Sequence, residues 1–374
     1  MQKIIECTVG DLVINYDRMR KPLSAREREK RRGKYPYYGA TCIFDYVDDY
    51  IFDGDYILLG EDGTVLESDG TPVLQRISGK SWVNNHAHVL KNSELIDFDY
   101  LYYALKNTNF ESAVTGAVQL KISQANMNAV RVRIHESRDD QRKVAKILQA
   151  FDDKIAINQR IANNLFREAQ ALYRERFIDF GDNGGIMPST YREGRVEEII
   201  ELHDARRIPL SGKERAGRAK IYPYYGAASC MDYVDDYLFD GIYLLLGEDG
   251  TVIDANGYPI LQYVSGKFWV NNHAHILTGK NGYSVELLYL LLSMTDVQNI
   301  VTGAVQQKIS QTNLRKVSVI IPNENDLKLF DQTIQPMFSR IREIKIENDN
   351  LGKLRDTLLP RLMNGEVDID AIEL

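Results

Sequence analysis

The sequence repeats itself almost verbatim at a spacing of 187 residues. Residues 35–65 read YPYYGATCIFDYVDDYIFDGDYILLGEDGTV and residues 222–252 read YPYYGAASCMDYVDDYLFDGIYLLLGEDGTV, with 24 of 31 positions identical and no gap. The same offset aligns SGKSWVNNHAHVL (78–90) with SGKFWVNNHAHIL (265–277), TGAVQLKISQ (115–124) with TGAVQQKISQ (302–311), and Pro22-Leu23-Ser24 with Pro209-Leu210-Ser211. Solenoid units repeat every 20–50 residues or so. A far longer period marks a duplicated domain. Whatever fold and binding chemistry the first copy has, the second must very nearly share.

Each copy has the same order of signals. A basic loop leads into apolar and polar segments rich in Tyr, Ile and Val, punctuated by Gly-Asp and Asp-Gly turns, which are strand and hairpin signals. WVNNHAH reads as a further strand. A short helix follows (Asp97–Asn107 and Ser284–Ser293), then the TGAVQ loop and a closing strand (Ala129–Ile134 and Lys316–Ile321). This is the pattern of a compact α+β domain.

After each copy the apolar period changes from two to about 3.5. Val144, Leu148, Phe151, Ile155, Asn158, Ala162, Leu165, Ala169 and Leu172 alternate steps of four and three, as do Leu327, Phe330, Ile334, Met337, Ile341, Ile344, Asn348 and Leu351. Two long coiled-coil helices are expected. Ser137 with Asp140 can cap the first, and Asn323 or Asn325 the second. Asn158 and Asn348 interrupt the seams, either to fix the pairing register or as hydrated positions near the bundle surface. The first helix ends at Gly181-Asp182-Asn183-Gly184-Gly185, a linker. The domains are therefore 1–135, the first reading domain; 136–180, the first long helix; 181–322, linker and second reading domain; and 323–374, the second long helix with its tail.

The 374 residues are 44% hydrophobic, enough for packed cores. Cys7, Cys42 and Cys230 are scattered, with no CxxC pair, so neither a disulfide framework nor a structural zinc site is indicated. MQKIIECTVGDL has no signal-peptide pattern, and apolar runs such as Leu287–Leu292 are too short to span a bilayer. A cytoplasmic location is expected. No GxxxxGK[ST] loop, catalytic Asn-Pro-Pro-aromatic motif or GxSxG elbow occurs. Glu343-Ile344-Lys345, a nuclease-like Glu-x-Lys, falls within a helix and reads as a solvated face. His86-x-His88 and His273-x-His275 could offer two imidazoles on one strand face to a metal, or form a polar rim beside Asn-Asn. No third ligand is placed by the sequence. Asp45, Asp48, Asp49, Asp53, Glu61 and Asp62 read as hairpin-capping carboxylates. No catalytic residue and no metal site is assigned.

The positive signal is local charge. Net charge is −7, yet residues 18–34 hold nine Lys/Arg against two Glu, and 205–221 hold six against one. Phosphate binding follows local potential rather than net charge. The candidates for DNA contact in the first copy are Arg26, Arg28, Arg31, Arg32, Lys34, Tyr37 and Tyr38. Those in the second are Arg206, Arg207, Lys213, Arg215, Arg218, Lys220, Tyr224 and Tyr225. Lys80 and Lys267, Gln119 and Gln306, Gln307, and Lys121 and Lys308 add candidates in loops, since Gln pairs with adenine and Lys reaches guanine.

Domain, long helix, domain, long helix, with duplicated halves, resembles the specificity subunit of type I restriction–modification systems. TGAVQLKISQANMNAVRVRIHESRDDQRKVAKILQAFDDKI resembles that family's passage from recognition domain into helix, and RDTLLPRLMNGEVDI resembles its usual ending; LYRERFIDFGDN, after the first helix, echoes that ending only loosely. The resemblance covers essentially the whole chain. It implies two α/β target-recognition domains on an antiparallel coiled coil, each reading one half of a split site in double-stranded DNA, without catalysis. It implies methyltransferase and restriction/translocase subunits as partners, and these hold S-adenosylmethionine, ATP and Mg2+; no cofactor is expected on this chain. Antiparallel helices would relate the domains by a two-fold axis, giving similar, inverted half-sites. Differences between the half-sites should track Thr41–Phe44 against Ala228–Met231, Ser81 against Phe268, and Leu120 against Gln307. The alternatives are a self-sufficient nuclease or methyltransferase, which the missing motifs disfavour, and a stand-alone DNA-binding regulator.

Overall fold

The computed structural model describes residues 3–116, 119–303 and 306–372; the ends of the expected segments 1–135 and 323–374 thus lie partly outside the described residues. The chain forms two compact units, 1–157 with 348–374, and 158–347. Each consists of a recognition domain, the beginning of the long helix that follows it, and the end of the other long helix.

In the first unit, Ile4–Thr8 pairs antiparallel with Arg131–His135, so the domain's start and finish close on each other. Between them a four-stranded antiparallel sheet runs in the order Val13–Asn15, Ala87–Asn92, Tyr56–Gly60, Leu74–Ile77. A three-stranded sheet has the order Ile43–Val47, Arg32–Tyr38, Trp82–Val83, its last pair parallel. Tyr56–Gly60 (YILLG) is buried throughout, as an uninterrupted apolar strand requires. The helix Phe98–Lys106 packs against it. Asp97 caps that helix, accepting from the Asp99 and Tyr100 amides at 3.1 and 3.3 Å. Tyr100, Leu101, Tyr103 and Leu105 then join Val9, Leu12, Ile57, Leu59 and Leu90 in the main core.

The second unit repeats this plan, with Arg192–Arg195 pairing Ser318–Ile321. Here Phe239–Gly247 and Leu261–Val270 pair without interruption and fuse the two sheets into one of six strands. In the first copy the same junction is a single bridge from Phe52 to Ser81. Two differences account for this. Ile242 stands where the first copy has Asp55, and β-branched residues suit a strand where Asp does not. Phe268 replaces Ser81 and stacks on Phe239 across the ladder at 5.4 Å, a stabilising cross-strand pair. Ser81 and Phe268 are both buried. On sequence grounds they track a difference in DNA reading; in the structure they belong to the sheet junction.

The long helices, Arg138–Phe177 and Glu324–Met363, have 40 residues each. Ser137 accepts from the Asp140 amide at 3.4 Å and Asn323 from the Asp326 amide at 3.0 Å. In the first unit Val144 and Leu148 pack with Leu359, Leu362 and Met363, and Asp152 pairs with Arg355 at 2.5 Å. In the second, Phe166 meets Phe338, while Tyr173 and Phe177 meet Phe330. Numbers rise along one helix as they fall along the other, so the segments run antiparallel within each unit. The seam is wider than the heptads indicate. Phe338 and Tyr173 are buried beside the expected Met337 and Leu172, because the recognition domain covers the helices from a second side; Phe338 also touches Tyr263 and Tyr289.

Candidate nucleic-acid interface

The basic segment of the first copy folds as a short helix, Ala25–Lys30, started by a capping box. Ser24 Oγ accepts from the Glu27 amide at 3.3 Å, and Glu27 Oε2 accepts from the Ser24 amide at 2.8 Å. This sorts the arginines by side. Arg28 turns inward: it donates to Asp45 at 3.2 Å and to the Leu23 carbonyl at 2.8 Å, and lies over the Tyr37 ring. Arg31 pairs with Asp48 at 2.9 Å over Trp82. The second copy reproduces both, with Arg215 on Asp232 and Leu210 over Tyr224, and Arg218 on Asp235 over Trp269. Tyr37 and Tyr224 are buried, and their hydroxyls accept from the Leu23 and Leu210 amides at 2.9 Å. Four candidate arginines and two tyrosines therefore build the frame of the loop.

Other candidates face outward. Arg26, Arg32, Lys34 and Lys213 are exposed, and Lys34 reaches over Tyr35. Lys80 and Lys267 sit over Tyr50 and Tyr237. Arg206 lies over Phe239 and donates to the Leu238 carbonyl; Lys220 pairs with Asp232. Tyr38 and Tyr225 are half-buried.

Next to this helix stands the hairpin 38–43, matched by 225–230. Phe44 lies so close over Gly39 that a Cβ there would fall 1.9 Å from its ring, and Met231 covers Gly226 in the same way, at 2.3 Å. Underneath, Gln75 Nε2 donates to the Gly39 and Ala40 carbonyls, and Gln262 to those of Gly226 and Ala227. Gln75 and Gln262 had no signal in the sequence beyond their recurrence. The hairpin carries unusual outward apolar groups: Phe44 is 57% exposed and Met231 54%, with Tyr46 and Tyr233 beside them.

The second outward element is the loop leading into Ile122 and Ile309. Gly116 and Gly303 have φ of +91° and +89°, and a Cβ at either would lie 2.2 or 2.0 Å from the carbonyl oxygen of Gln119 or Gln306. Only glycine fits so tight a turn, which presents Gln119, Gln306 and Gln307 to solvent. A buried polar network anchors the loop. His88 Nδ1 meets Asp17 at 2.6 Å and Nε2 meets the Ile122 carbonyl at 2.9 Å. Arg20 pairs with Glu61 at 2.6 Å and with Asp17 at 3.4 Å, and Lys121 with Glu61 at 3.2 Å. The second copy has His275 between Asp204 and the Ile309 carbonyl, Arg207 on Glu248 and Asp204, and Lys308 on Glu248. Arg207 is thus held inside the domain, and Lys121 and Lys308 already have carboxylate partners. Burial pushes the Asp17 and Asp204 carboxyls up, but the histidine hydrogen bonds and charge outweigh it and hold both below the usual aspartate range.

Asp17, Glu61 and His88, like Asp204, Glu248 and His275, bring three ligand-type atoms within 4.8 Å of one another. A cation of the protein's own lies within each cluster. The arginine guanidinium already sits against both carboxylates, at 2.6 and 3.4 Å in each copy, and meets their charge without an ion. His86 does not join His88; its Nδ1 meets Asp62 at 2.5 Å, and His273 likewise meets Asp249.

The sequence profile of the family described as "Type I restriction modification DNA specificity domain" matches residues 6–167 and 188–355, most of both halves. The chain belongs to this family. It is 24% identical over 330 residues to the putative type I restriction enzyme specificity subunit S.HindORF215P of Haemophilus influenzae, covering 81% of this chain and 79% of that one. It is 22% identical over 305 residues to the type I restriction enzyme MjaIX specificity subunit of Methanocaldococcus jannaschii, 73% and 70% of the two chains. Its fold is that of the S subunit of a type I restriction–modification system from M. genitalium, with a TM-score of 0.57, 16% identity and 96% of each chain covered. The chain is therefore a type I specificity subunit, a DNA-recognition component of a restriction–modification complex and not its catalytic part. Among the described residues no helix is long and apolar enough to cross a membrane.

Proposed function

We propose that this subunit reads a bipartite DNA site made of two similar, inverted half-sites separated by an unread spacer, one half-site per recognition domain, in the cytoplasm. Methyltransferase and restriction/translocase subunits dock on it and supply S-adenosylmethionine, ATP and Mg2+ chemistry. The observation that carries this reading is where the copies differ. Within 35–65 and 222–252 three differences lie outside the hairpin: Ile57 against buried Leu244, half-buried Ile51 against Leu238, and Asp55 against Ile242 at the sheet junction. Four consecutive differences, Thr41, Cys42, Ile43 and Phe44 against Ala228, Ser229, Cys230 and Met231, fall on the exposed hairpin. A run of differences on an outward element of a shared fold is what two related readers need. Apolar side chains there suit contact with the thymine methyl group and base edges, and the exposed Gln119, Gln306 and Gln307 suit adenine. The antiparallel run of the helix segments within each unit favours inverted over direct half-sites.

The test is a transplant. Thr41→Ala, Cys42→Ser, Ile43→Cys and Phe44→Met together leave the buried frame untouched. Co-expressed with its methyltransferase subunit, this variant should methylate a site whose first half has moved toward the second. An unchanged motif with undiminished methylation would remove the hairpin from base reading.

A further inference from the structure

We infer that the two recognition domains hold DNA unequally, and that the first is the electrostatic anchor of the subunit. The inference rests on the DNA-reading role above and concerns phosphate binding rather than base reading.

The structure divides the basic segments into cations that serve the frame and cations that do not. The frame cations recur in both copies with their carboxylates: Arg20 and Arg207, Arg28 and Arg215, Arg31 and Arg218. The remainder differ sharply. In the first copy Arg18, Lys21, Arg26, Lys30, Arg32 and Lys34 have no carboxylate within ion-pair reach among the described residues. At the matching positions the second copy has Ala205, Ile208, Lys213, Gly217, Ala219 and Ile221. Only Lys213 remains a cation. Arg206, which donates to the Leu238 carbonyl, is a further one with no carboxylate partner among the described residues, and Lys220 is neutralised by Asp232. Six uncompensated cations thus face two.

The frame does not need five of the six, since the second copy forms a capped helix and a hairpin at the same positions without them. Nine cations against two glutamates also crowd a single short segment, which raises its local positive potential. A polyanion is drawn to that potential, and each phosphate neutralised releases condensed counterions. The partner surface is the phosphate backbone of duplex DNA of any sequence. The first domain would hold the duplex non-specifically while the second, with little net attraction of its own, discriminates through its hairpin and glutamine loop.

The experiment measures binding of the full-length subunit to a duplex of arbitrary sequence across a salt series. One variant carries Arg26→Gln, Lys30→Gln, Arg32→Gln and Lys34→Gln; the other carries Arg206→Gln and Lys213→Gln. For every phosphate no longer neutralised, the slope of log K against log salt becomes shallower by about 0.9. The first variant should lose up to about 3–4 in slope and the second at most about 2. A third, Gly217→Lys with Ala219→Arg and Ile221→Lys, should steepen the slope, a gain that misfolding cannot produce. Equal slope changes in the first two variants, or no gain from the third, overturn the anchor while leaving DNA reading intact. A wild-type subunit whose affinity for duplex is absent or independent of salt would overturn DNA reading itself, and the anchor with it.

Discussion

Replacing Asp204 by asparagine removes one charge from the second copy's buried network and almost nothing else. Asp204 Oδ2 lies 2.6 Å from His275 Nδ1 and 2.5 Å from Gln311 Nε2; Oδ1 accepts from the Ile276 amide at 2.9 Å. Asparagine keeps an oxygen for the amide but turns the charge-assisted bonds into neutral or mismatched ones. Hydrogen bonds to charged groups are worth about 1.5–3 kcal/mol, and leaving a buried partner unsatisfied adds about 1–3 kcal/mol. A local loss of about 3 kcal/mol follows, roughly 100-fold in the opening equilibrium. The first copy is an internal control. Amide hydrogen exchange at Ala274–Gly279 and at 308–311 should speed up by about that factor, while Ala87–Asn92 and 121–124 stay as in wild type. The pH dependence has a definite sign. The folded-state pKa of Asp204 is depressed, mainly by His275 against the cost of burial. Its contribution is full above the unfolded aspartate value of about 3.9 and is lost as pH falls through the lower folded value. The gap between wild type and variant should be widest near neutrality and close in acid. A change of less than tenfold at neutral pH, or an equal change in both copies, would refute the claim that this carboxylate anchors the loop.

Three further outcomes separate frame from surface. Phe338→Ala, at a fully buried position between the helices and the second domain, should cost about 3–5 kcal/mol by urea denaturation. Arg28→Gln should lower stability, because it strips Asp45 and the Leu23 carbonyl of their donor, and should barely alter the salt slope of DNA binding. Arg26→Gln should do the reverse, with unchanged urea midpoint and a slope reduced by about 0.9.

The duplication, the short helices after WVNNHAH and both long helices were legible in the sequence because each rests on local chemistry, a repeated wording or an apolar period; the basic segments, expected as loops, form short capped helices instead. The metal question was not legible. His86 and His88 look like a ligand pair when only strand alternation is considered. What separates them is long-range: Asp17 and Ile122, distant in the chain, take the two nitrogens of His88, while His86 meets Asp62. The basic segments were legible as charge but not as function, since composition cannot distinguish Arg28, folded onto Asp45, from Arg26, which meets solvent. The widened seam at Tyr173 and Phe338 was hidden for a related reason. Heptad spacing describes two helices meeting each other, whereas here a third surface packs against both. Sheet fusion in the second copy turned on Asp55 against Ile242 and Ser81 against Phe268, differences that carry meaning only once the strands are known to be neighbours.

Mapping the bases methylated when this subunit is expressed with its methyltransferase partner tests the central claim most directly. The expected motif is two half-sites of related sequence in inverted orientation, differing at one or a few positions and separated by bases of any identity. Two half-sites with no inverted resemblance, or a single uninterrupted site, would contradict reading by two near-identical domains.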